Sequence, residues 1–379
     1  MNVLISSGFP YWNAEAEYAA ILAELLREAG HGVWMLVHPS TRNAQELHRR
    51  GLAPLTGLLP DGASPWRWRS AIRRLTEFQQ RQRIDVVNVF RSAEFPLHLF
   101  AARWWGGPKV VRTRGGAQAE RRGWLNRRLY GRGCQGVIAC ADVIRQRLES
   151  RLMVPPERIR TIYYPAAPSP MPAEVVGQSA RQSLLAELSL PEEALLLGVV
   201  GRIAPEKGHG TLLEALRMLP PSLPKPHLLI LNKAYASEAP HRAHLERRIA
   251  EMQLGDRVTW LGYRKDVGQI MSGVDMGVIP SIASEMICRV AVEFLSAGTP
   301  VVALPTGALP EVIGHGVSGL IAASPDAAAL AEELATLASH PGLRRRLGAE
   351  GRNQVRRRFS REGFLAAHLE VFERALAVD

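Results

Sequence analysis

Two cations stand close together in a glycine-flanked segment that runs from Gly201 to Gly208 and contains Arg202 and Lys207. An arginine can hold a phosphate through two parallel hydrogen bonds, and a lysine adds a compact positive charge. Glycine allows a ligand to approach the backbone closely. The segment therefore favours a diphosphate-binding loop in which Gly201 lies against the ligand and the two cations neutralise its charge. The alternative is a basic surface loop between a strand and a helix.

Two glutamates eight residues apart, Glu285 and Glu293, form a second candidate cluster. On one helix this spacing places the carboxylates about 80° apart around the axis and about 12 Å apart along it. That span suits a nucleotide sugar, with one carboxylate binding sugar hydroxyls and the other binding the ribose. Glu293 stands in an apolar run, where a charged carboxylate needs a partner. Glu285 has an alternative role as a helix-start carboxylate that stabilises the helix dipole.

A basic, tryptophan-rich window extends from Asp61 to Arg132. It holds 16 Lys or Arg and 5 Asp or Glu, a surplus as large as the net charge of +11 of the whole chain. Five of the eight tryptophans also lie in it. Such side chains suit the headgroup layer of an anionic membrane or a phosphorylated glycolipid. A solvated basic face is the plainer alternative, and RNA is a third, which no nucleic-acid module signature supports.

Short apolar runs alternating with helical patterns must position these residues. The predicted strands cover residues 2–5, 32–37, 84–89, 109–112, 136–139, 195–200, 227–231, 258–261, 276–279 and 301–303. Buried strands that alternate with helices favour parallel sheets, and 379 residues exceed what a single core usually supports. The sequence therefore predicts an α/β protein of two Rossmann-like doubly wound domains that face a central cleft, with ligands at the carboxyl ends of the strands.

A proline-rich stretch, Tyr164 to Pro172, can hold neither a helix nor a central strand and predicts a linker. The expected division is an acceptor-side domain over 1–165, a linker over 166–180 and a nucleotide-sugar-binding domain over 181–355. A final helix within 356–379 is expected to pack back toward the N-terminal domain.

The remaining features exclude several classes of function. The three cysteines lack metal-ligand spacing and favour free thiols in a reducing compartment. The first apolar run is too short for a signal peptide, and no stretch is long enough to span a membrane. Histidines lack carboxylates or cysteines at ligand spacing, and neither a nucleophile turn nor a Walker loop is present. The expected location is the cytoplasm, peripheral to the inner face of the cytoplasmic membrane.

These motifs together resemble the family-four retaining glycosyltransferases of the GT-B architecture. The resemblance is dense from Leu195 to Ala322 and loose in the N-terminal half. It rests on five segments: 201–208, 261–263, 284–293, 297–303 and 310–320. It implies that Arg202 and Lys207 hold the donor diphosphate, that Glu285 contacts the donor sugar with Ser284 beside it, and that Glu293 binds the ribose. It also implies a retaining transfer without a metal, in which the leaving phosphate assists the incoming hydroxyl.

The sequence departs from this family at several positions. Met286 and Cys288 replace the glycines that usually follow the first glutamate. The glycine-rich first loop is reduced to Gly8, which is expected to lie in the binding site. Arg114 stands where many members have a histidine; it cannot act as a base and is expected to bind phosphate or an anionic acceptor. Two further departures are Asn232-Lys233 and the lack of Asn-Gly before the linker.

Taken together, the residues predict a glycosyltransferase that uses a nucleotide-diphosphate sugar, with Glu285, Arg202, Lys207 and Arg114 as catalytic candidates and no metal or cofactor. The expected acceptor is a membrane-associated saccharide, such as a lipopolysaccharide core or a glycolipid. Two alternatives remain open: a sugar-nucleotide epimerase on the same fold, and a non-catalytic protein on a degenerate scaffold that binds anionic lipid or RNA.

Overall fold

The computed structural model of the protein describes residues 1–39, 41–60, 64–104, 106–116, 118, 123–166, 173–233, 235–283 and 285–378. The chain forms two compact units. The first consists of Met1–Pro165 together with Arg361–Asp379, and the second of Ala166–Ser360.

Each unit is built on one parallel sheet. The first sheet has the order β3-β2-β1-β4-β5-β6-β7 and the second β10-β9-β8-β11-β12-β13. The strands of the first sheet are β1 (Asn2–Ser7), β2 (Gly32–Val37), β3 (Pro54–Leu55), β4 (Val86–Val89), β5 (Lys109–Arg114), β6 (Gly136–Ala139) and β7 (Ile159–Thr161). Those of the second are β8 (Leu196–Val200), β9 (His227–Leu231), β10 (Val258–Gly262), β11 (Met276–Ile279), β12 (Val301–Ala303) and β13 (Gly319–Ile321).

In both sheets the strand order reverses once, between β1 and β4 and between β8 and β11. Right-handed crossovers then put the connecting helices on opposite faces of the sheet, and a crevice opens at the carboxyl ends of the two strands at the reversal. The prediction of two doubly wound parallel sheets is confirmed. The sequence did not reveal the short strands β3, β7 and β13, which have two, three and three residues.

The helices of the first unit are α1 (Ala14–Glu28), α2 (Thr41–Arg49), α3 (Pro65–Arg81), α4 (Phe95–Trp104), α5 (Trp124–Arg128), α6 (Asp142–Leu152) and α15 (Arg361–Ala377). Those of the second unit are α7 (Ala173–Glu187), α8 (His209–Met218), α9 (Ala239–Glu251), α10 (Val267–Gly273), α11 (Arg289–Ala297), α12 (Leu309–Val312), α13 (Ala327–Ser339) and α14 (Pro341–Arg358). The predicted linker over 166–180 is too long, because α7 begins at Ala173, where the prolines have ended and Ala, Glu, Gln, Arg and Leu favour a helix.

Helix α15 belongs to the first unit although it comes last in the chain. It packs against β5, β6 and α1. His368 on this helix is fully buried beside Tyr18 and Phe364, and its Nε2 lies 3.3 Å from the Tyr18 hydroxyl. Burial lowers the pKa of His368 to about 4, because the positive form would lose its hydration. The helix is thus held by a polar residue that must stay neutral.

This burial predicts an acid-sensitive first unit. A histidine whose pKa is lower in the folded than in the unfolded state stabilises fully above the unfolded pKa of about 6.5 and progressively less as the pH falls toward 4. We expect urea unfolding to show a free energy that decreases over this range. In His368→Gln, the decrease should be shallower by up to about 1.4 kcal/mol per pH unit. The exposed His48, replaced by Gln, should leave the slope unchanged; equal slopes in all three proteins would contradict the prediction.

Candidate active site

The strand reversal of the second sheet carries both predicted donor motifs. β8 runs into the cation loop that begins at Gly201, and its neighbour β11 runs into the loop that begins at Pro280. Since parallel strands end at the same edge of a sheet, the two loops emerge side by side. Topology therefore brings together residues that are about 80 positions apart in the sequence.

The cation loop turns back on itself through a short 3₁₀ helix, Pro205–Lys207. The Arg202 side chain remains 55% exposed, and its Nη2 donates to Glu206 Oε1 at 2.8 Å. A second carboxylate, the buried Glu238, accepts a hydrogen bond from the Ile203 amide at 3.0 Å and lies 3.9 Å from Arg202 Nη1. The guanidinium thus stands at the surface between two carboxylates and can be offered to a ligand.

Gly208 allows the two loops to touch. Its φ is +70°, and a Cβ at this position would lie 1.8 Å from the Pro280 carbonyl oxygen. Only glycine fits such a contact. Close by, the Ile282 amide donates to the Glu206 carbonyl at 3.0 Å. Backbone contacts therefore fasten the cation loop to the loop after β11.

Lys207 and Glu285 form an ion pair across these two loops, between Lys207 Nζ and Glu285 Oε1. The same carboxylate oxygen accepts from Ser281 Oγ at 2.8 Å, and the Glu285 carbonyl accepts from the Ala308 amide at 2.7 Å. Gly307, with φ +59°, permits this last approach, since a Cβ there would lie 2.1 Å from the Glu285 carbonyl oxygen. The carboxylate is therefore held by Lys207 of the cation loop and by Ser281 of its own loop, and the backbone of Glu285 is held by the loop of Gly307 and Ala308.

Glu285 does not lie on a helix with Glu293, and the predicted helical spacing of the two carboxylates is wrong. Helix α11 begins only at Arg289, after Cys288, which has the left-handed φ of +54°. A left-handed residue interrupts a right-handed helix, so residues 285–287 precede it as a loop. Cys288 occupies one of the positions where the related family has glycine, the residue that adopts this conformation without strain.

Glu293 lies on α11, and its side chain is 21% exposed. It accepts a hydrogen bond from Arg289 Nε at 2.8 Å, one helical turn earlier. The next residue, Phe294, packs its ring over Gly277, where a Cβ would come within 2.6 Å of the ring. This close packing of α11 on β11 fixes the helix that carries Glu293.

The first unit presents an analogous edge at the carboxyl ends of β1 and β4. The Gly8 amide donates to Glu94 Oε2 at 3.2 Å, and the Gly8 carbonyl accepts from Arg91 Nη1 at 2.9 Å. Ser6 Oγ also donates to Glu94 Oε2 at 2.6 Å and lies 2.8 Å from His98 Nε2. Burial raises the pKa of Glu94 and lowers that of His98 to about 3. Gly8 is thus fixed through both its amide and its carbonyl group.

Arg114 ends β5 at the same edge and is almost completely buried. Its Nη2 donates to the Gln118 carbonyl at 2.5 Å, and the next amide, that of Gly115, donates to Glu15 Oε1 at 3.1 Å. Gly116 makes room for the guanidinium, because a Cβ there would lie 2.5 Å from Arg114 Nη1.

The predicted site residues therefore fall into two groups. Arg202, Lys207 and Glu285 surround the strand reversal of the second unit, with Glu293 on α11 and Gly201 at the end of β8; Gly8 and Arg114 belong to the first unit. Ser284 lies outside the described residues. Sequence reasoning missed Glu94, Glu238 and Ser281, and only Ser281 carried a signal, since it stands four residues before Glu285 at the end of an apolar strand.

The described residues contain neither a cluster of metal ligands nor a helix that could span a membrane. No group of three or more His, Cys, Asp or Glu side chains among them could hold a metal ion. No helix within the described ranges is long and apolar enough to cross a membrane.

The chain matches two protein families. Residues 16–166 match Glycosyltransferase Family 4, and residues 180–354 match Glycosyl transferases group 1. Together the two matches cover most of the sequence and correspond to the two units.

Two curated relatives have names that refer to lipopolysaccharide glycosyltransferases. One is the lipopolysaccharide 1,2-N-acetylglucosaminetransferase of Salmonella typhimurium, 27% identical over 47% of this chain and 50% of the relative. Another is the lipopolysaccharide core biosynthesis glycosyltransferase LpsD of Rhizobium meliloti, 29% identical over 51% of this chain and 53% of the relative. The chain therefore spans about half the length of the curated relatives it matches.

Solved structures share the whole fold. A glycosyltransferase from Rickettsia africae superimposes with a TM-score of 0.89 at 18% identity, over 100% of this chain and 99% of that one. Anabaena HepE in complex with UDP superimposes with a TM-score of 0.84 at 19% identity, over 98% and 100% of the two chains. The fold and its strand-reversal loops define a protein of the GT-B class. The chain belongs to the glycosyltransferases, of the family-four type.

Substitution by alanine should change the stability of the protein at one glycine of the cation loop and leave it nearly unchanged at the other. Gly208→Ala should lower the free energy of unfolding of the second unit by about 2 kcal/mol or more, since the new Cβ collides with the Pro280 carbonyl at a positive φ. Gly201→Ala should stay within about 1 kcal/mol of wild type, because nothing lies within 4 Å of its added Cβ. Denaturant unfolding measures both changes; a Gly208→Ala protein as stable as Gly201→Ala would contradict the contact.

Proposed function

We propose that this protein transfers a sugar from a nucleotide-diphosphate donor, with retention of anomeric configuration, to a hydroxyl of a membrane-associated saccharide such as a lipopolysaccharide core or a similar glycolipid. The observation that carries the proposal is the cluster of Arg202, Lys207 and Glu285 at the strand reversal of the second unit. Ligands of open α/β sheets bind at such a reversal, and a diphosphate needs cations there.

Each residue of the cluster has a role that fits this donor. Lys207 and the exposed Arg202 balance the charge of the diphosphate, and Gly201 leaves space at the end of β8. Glu285, once its lysine turns to the phosphate, accepts hydrogen bonds from sugar hydroxyls. Glu293, already a hydrogen-bond acceptor on a fixed helix, accepts from the ribose hydroxyls. Carboxylates are well suited to hydroxyl groups because they are acceptors only.

In the proposed chemical step, the leaving diphosphate of the donor itself takes the proton of the acceptor hydroxyl. The acceptor oxygen attacks the anomeric carbon on the face from which the diphosphate leaves, so that the configuration is retained. As the carbon–oxygen bond to the diphosphate breaks, the hydroxyl proton passes to the departing phosphate oxygen. Negative charge grows on the diphosphate during this step, and Arg202 and Lys207 stabilise it where a metal would otherwise be needed. The proposal therefore includes no metal or other cofactor.

Similarity to known proteins supports both substrates. HepE, which has the same fold, was solved in complex with UDP, and this supports a nucleotide-linked donor. The names of the Salmonella and Rhizobium relatives refer to lipopolysaccharide, which supports a saccharide acceptor of that type.

Loss of either donor cation should weaken nucleotide binding. We expect calorimetric titration with UDP, GDP and ADP to show saturable binding of at least one. Arg202→Gln and Lys207→Gln should each weaken it about tenfold or more, because each removes a charge-assisted contact of about 1.5–3 kcal/mol. Glu293→Gln should weaken the binding of a nucleoside diphosphate but not that of inorganic pyrophosphate, which lacks the ribose.

Matched controls lie in the same unit. Arg242 and Glu246 form a helical pair at 2.9 Å with the same spacing as Arg289 and Glu293. Arg242→Gln and Glu246→Gln should bind nucleotides as wild type does. The donor assignment is wrong if none of the three nucleotides binds, or if the site variants behave like these controls.

Exposed aromatic and cationic side chains of the first unit support the proposed membrane-associated acceptor. Trp66 on α3 and Trp124 on α5 expose 78% and 77% of their surface, and Phe100 on α4 is also exposed. Helix α3 packs on α4, and α4 on the π-helical segment Leu129–Gly133 that follows α5, so these residues lie on neighbouring elements. Exposed arginines accompany them: Arg67, Arg69, Arg73, Arg103, Arg127, Arg128 and Arg132. Aromatic and cationic side chains together favour an anionic bilayer surface.

Vesicle flotation tests this surface. The protein should bind phosphatidylcholine vesicles only when they contain phosphatidylglycerol, and salt should weaken the binding. The double variant Trp66→Ala/Trp124→Ala should bind about tenfold more weakly, since it loses the apolar part of the contact. Met218→Ala removes an exposed apolar side chain of the second unit and should change nothing. Equal binding to neutral vesicles would refute the anionic surface.

A further inference from the structure

A cavity of about 310 Å³ lies at the amino ends of β4 and β5 in the first unit. Its wall is formed by the C-terminal parts of α3, α4 and α15 and by the residues that lead into the two strands. Gly8 follows β1 and Arg114 ends β5, so both lie at the opposite, carboxyl edge of the sheet. The volume is near the lower end of the roughly 300–1,000 Å³ that small-molecule sites span, which suits a single ring compound and is too small for a nucleotide sugar.

Helix α3 lines the cavity with a stripe of polar residues. Thr76, Gln79 and Gln80 stand at helical spacing, and Arg83 continues the stripe just beyond the end of the helix. Thr76 and Gln79 also belong to the buried face of α3, and only 3% of the Gln79 surface is exposed. Gln79 therefore stands in the inner wall of the cavity and not at its rim.

The side-chain amide of Gln79 has no hydrogen-bond partner among the described residues, neither at Nε2 nor at Oε1. Its neighbour in the stripe differs, because the Thr76 hydroxyl donates to the Ile72 carbonyl at 2.9 Å. A buried amide without a partner loses the hydrogen bonds that it makes with water in the unfolded chain. Rotation about the last side-chain torsion, which is broad in glutamine, can turn this amide toward a ligand in the cavity.

The backbone around Gln79 is already satisfied and fixed. The Gln79 carbonyl accepts from the Ile84 amide at 2.9 Å, and the Gln80 carbonyl accepts from the Arg83 amide at 3.1 Å. Arg83 has a φ of +48°, so these two bonds form the left-handed turn that commonly ends a helix. The side-chain amide is thus the part of Gln79 that a ligand would satisfy.

Apolar side chains form much of the remaining wall: Ile84, Ala101, Pro108 and Leu376. Small-molecule sites typically combine such an apolar lining with a few polar groups that orient the ligand. The lining therefore suits a flat carbon ring that carries one polar group toward Gln79.

The charges around the cavity are nearly balanced. Arg83 and Lys109 supply two cations and Asp85 one carboxylate. The ends of α3, α4 and α15 add the partial negative charge of helix C-termini. Lys109 also donates to the Val378 carbonyl, and Asp85 Oδ2 accepts the Asn2 amide at 2.6 Å. The wall therefore favours a neutral ligand over an anion or a cation.

We propose that this cavity binds a neutral ring compound that carries a carboxamide or a lactam group, with that group paired to the Gln79 side chain and the ring against the apolar wall. A carboxamide or lactam presents a carbonyl oxygen beside an N–H. Glutamine presents the complementary pair, so two parallel hydrogen bonds can form. The inference does not depend on the proposed sugar transfer, because the described wall contains none of the residues assigned to the donor.

Three probes of nearly equal shape separate the amide contact from simple filling of the cavity. Benzamide carries a donor and an acceptor, acetophenone only the acceptor, and cumene neither; uracil tests the lactam. We expect NMR titration of the full-length, ¹⁵N-labelled protein to show that benzamide or uracil binds at least about tenfold more tightly than cumene, with acetophenone between benzamide and cumene. The side-chain amide signals of Gln79, identified as the pair missing in Gln79→Leu, should shift with the tighter ligand and not with cumene.

Two variants and a control assign the binding to this cavity. Gln79→Leu removes the amide at similar size and should weaken the amide ligand about tenfold while leaving cumene within about twofold of wild type. Ala101→Met places a longer side chain in the cavity and should weaken all probes. Gln146→Leu makes the same exchange at an exposed position on α6 of the same unit, away from the cavity. It should bind every probe as wild type does.

The proposal is overturned if neither benzamide nor uracil binds more tightly than cumene, since the cavity then holds nothing more specific than water. It is also overturned if Gln79→Leu binds the amide ligand as Gln146→Leu does. If Gln79→Leu does not fold, Ala101→Met decides: weaker binding of benzamide or uracil supports the cavity, and unchanged binding places the ligand elsewhere and refutes the site.

Discussion

The Lys207–Glu285 ion pair is the interaction on which the arrangement of the second unit's edge depends. It joins two loops that leave neighbouring strands, and each partner is fixed by its own backbone: Lys207 by the turn that ends at Gly208, and Glu285 by the contact of its carbonyl with the Ala308 amide. A partly buried lysine and carboxylate would each be costly alone. Paired, they keep both charges at the crevice, where the diphosphate of the proposed donor would compete for the lysine.

The corresponding edge of the first unit is held together by different contacts. Its edge is organised by the buried Glu94, which accepts both Ser6 Oγ and the Gly8 amide, and by Arg91, which binds the Gly8 carbonyl. The loop after β1 is thereby fixed without a glycine-rich sequence.

Much of the fold was predictable because buried parallel strands leave continuous apolar runs between helical patterns. The cation loop was predictable because its glycines and cations lie within one short segment, from Gly201 to Gly208. The course of the chain around Glu285 was not, because a single left-handed residue, Cys288, ends the loop and starts the helix, and nothing in its side chain indicates that conformation. Glu94 was missed for another reason: its partners Ser6 and Gly8 are nearly 90 positions away, and only the sheet brings them together.

A double-mutant cycle on Lys207 and Glu285, read out by nucleoside diphosphate affinity and by turnover, tests the central claim most directly. If Glu285 holds Lys207 ready for the diphosphate, Glu285→Gln frees the lysine. Nucleoside diphosphate should then bind as tightly as to wild type or more tightly, while sugar transfer is lost. In the Lys207→Gln background the same substitution should no longer improve binding. Weaker nucleotide binding by Glu285→Gln, equal to that of Lys207→Gln and additive with it, would contradict the account.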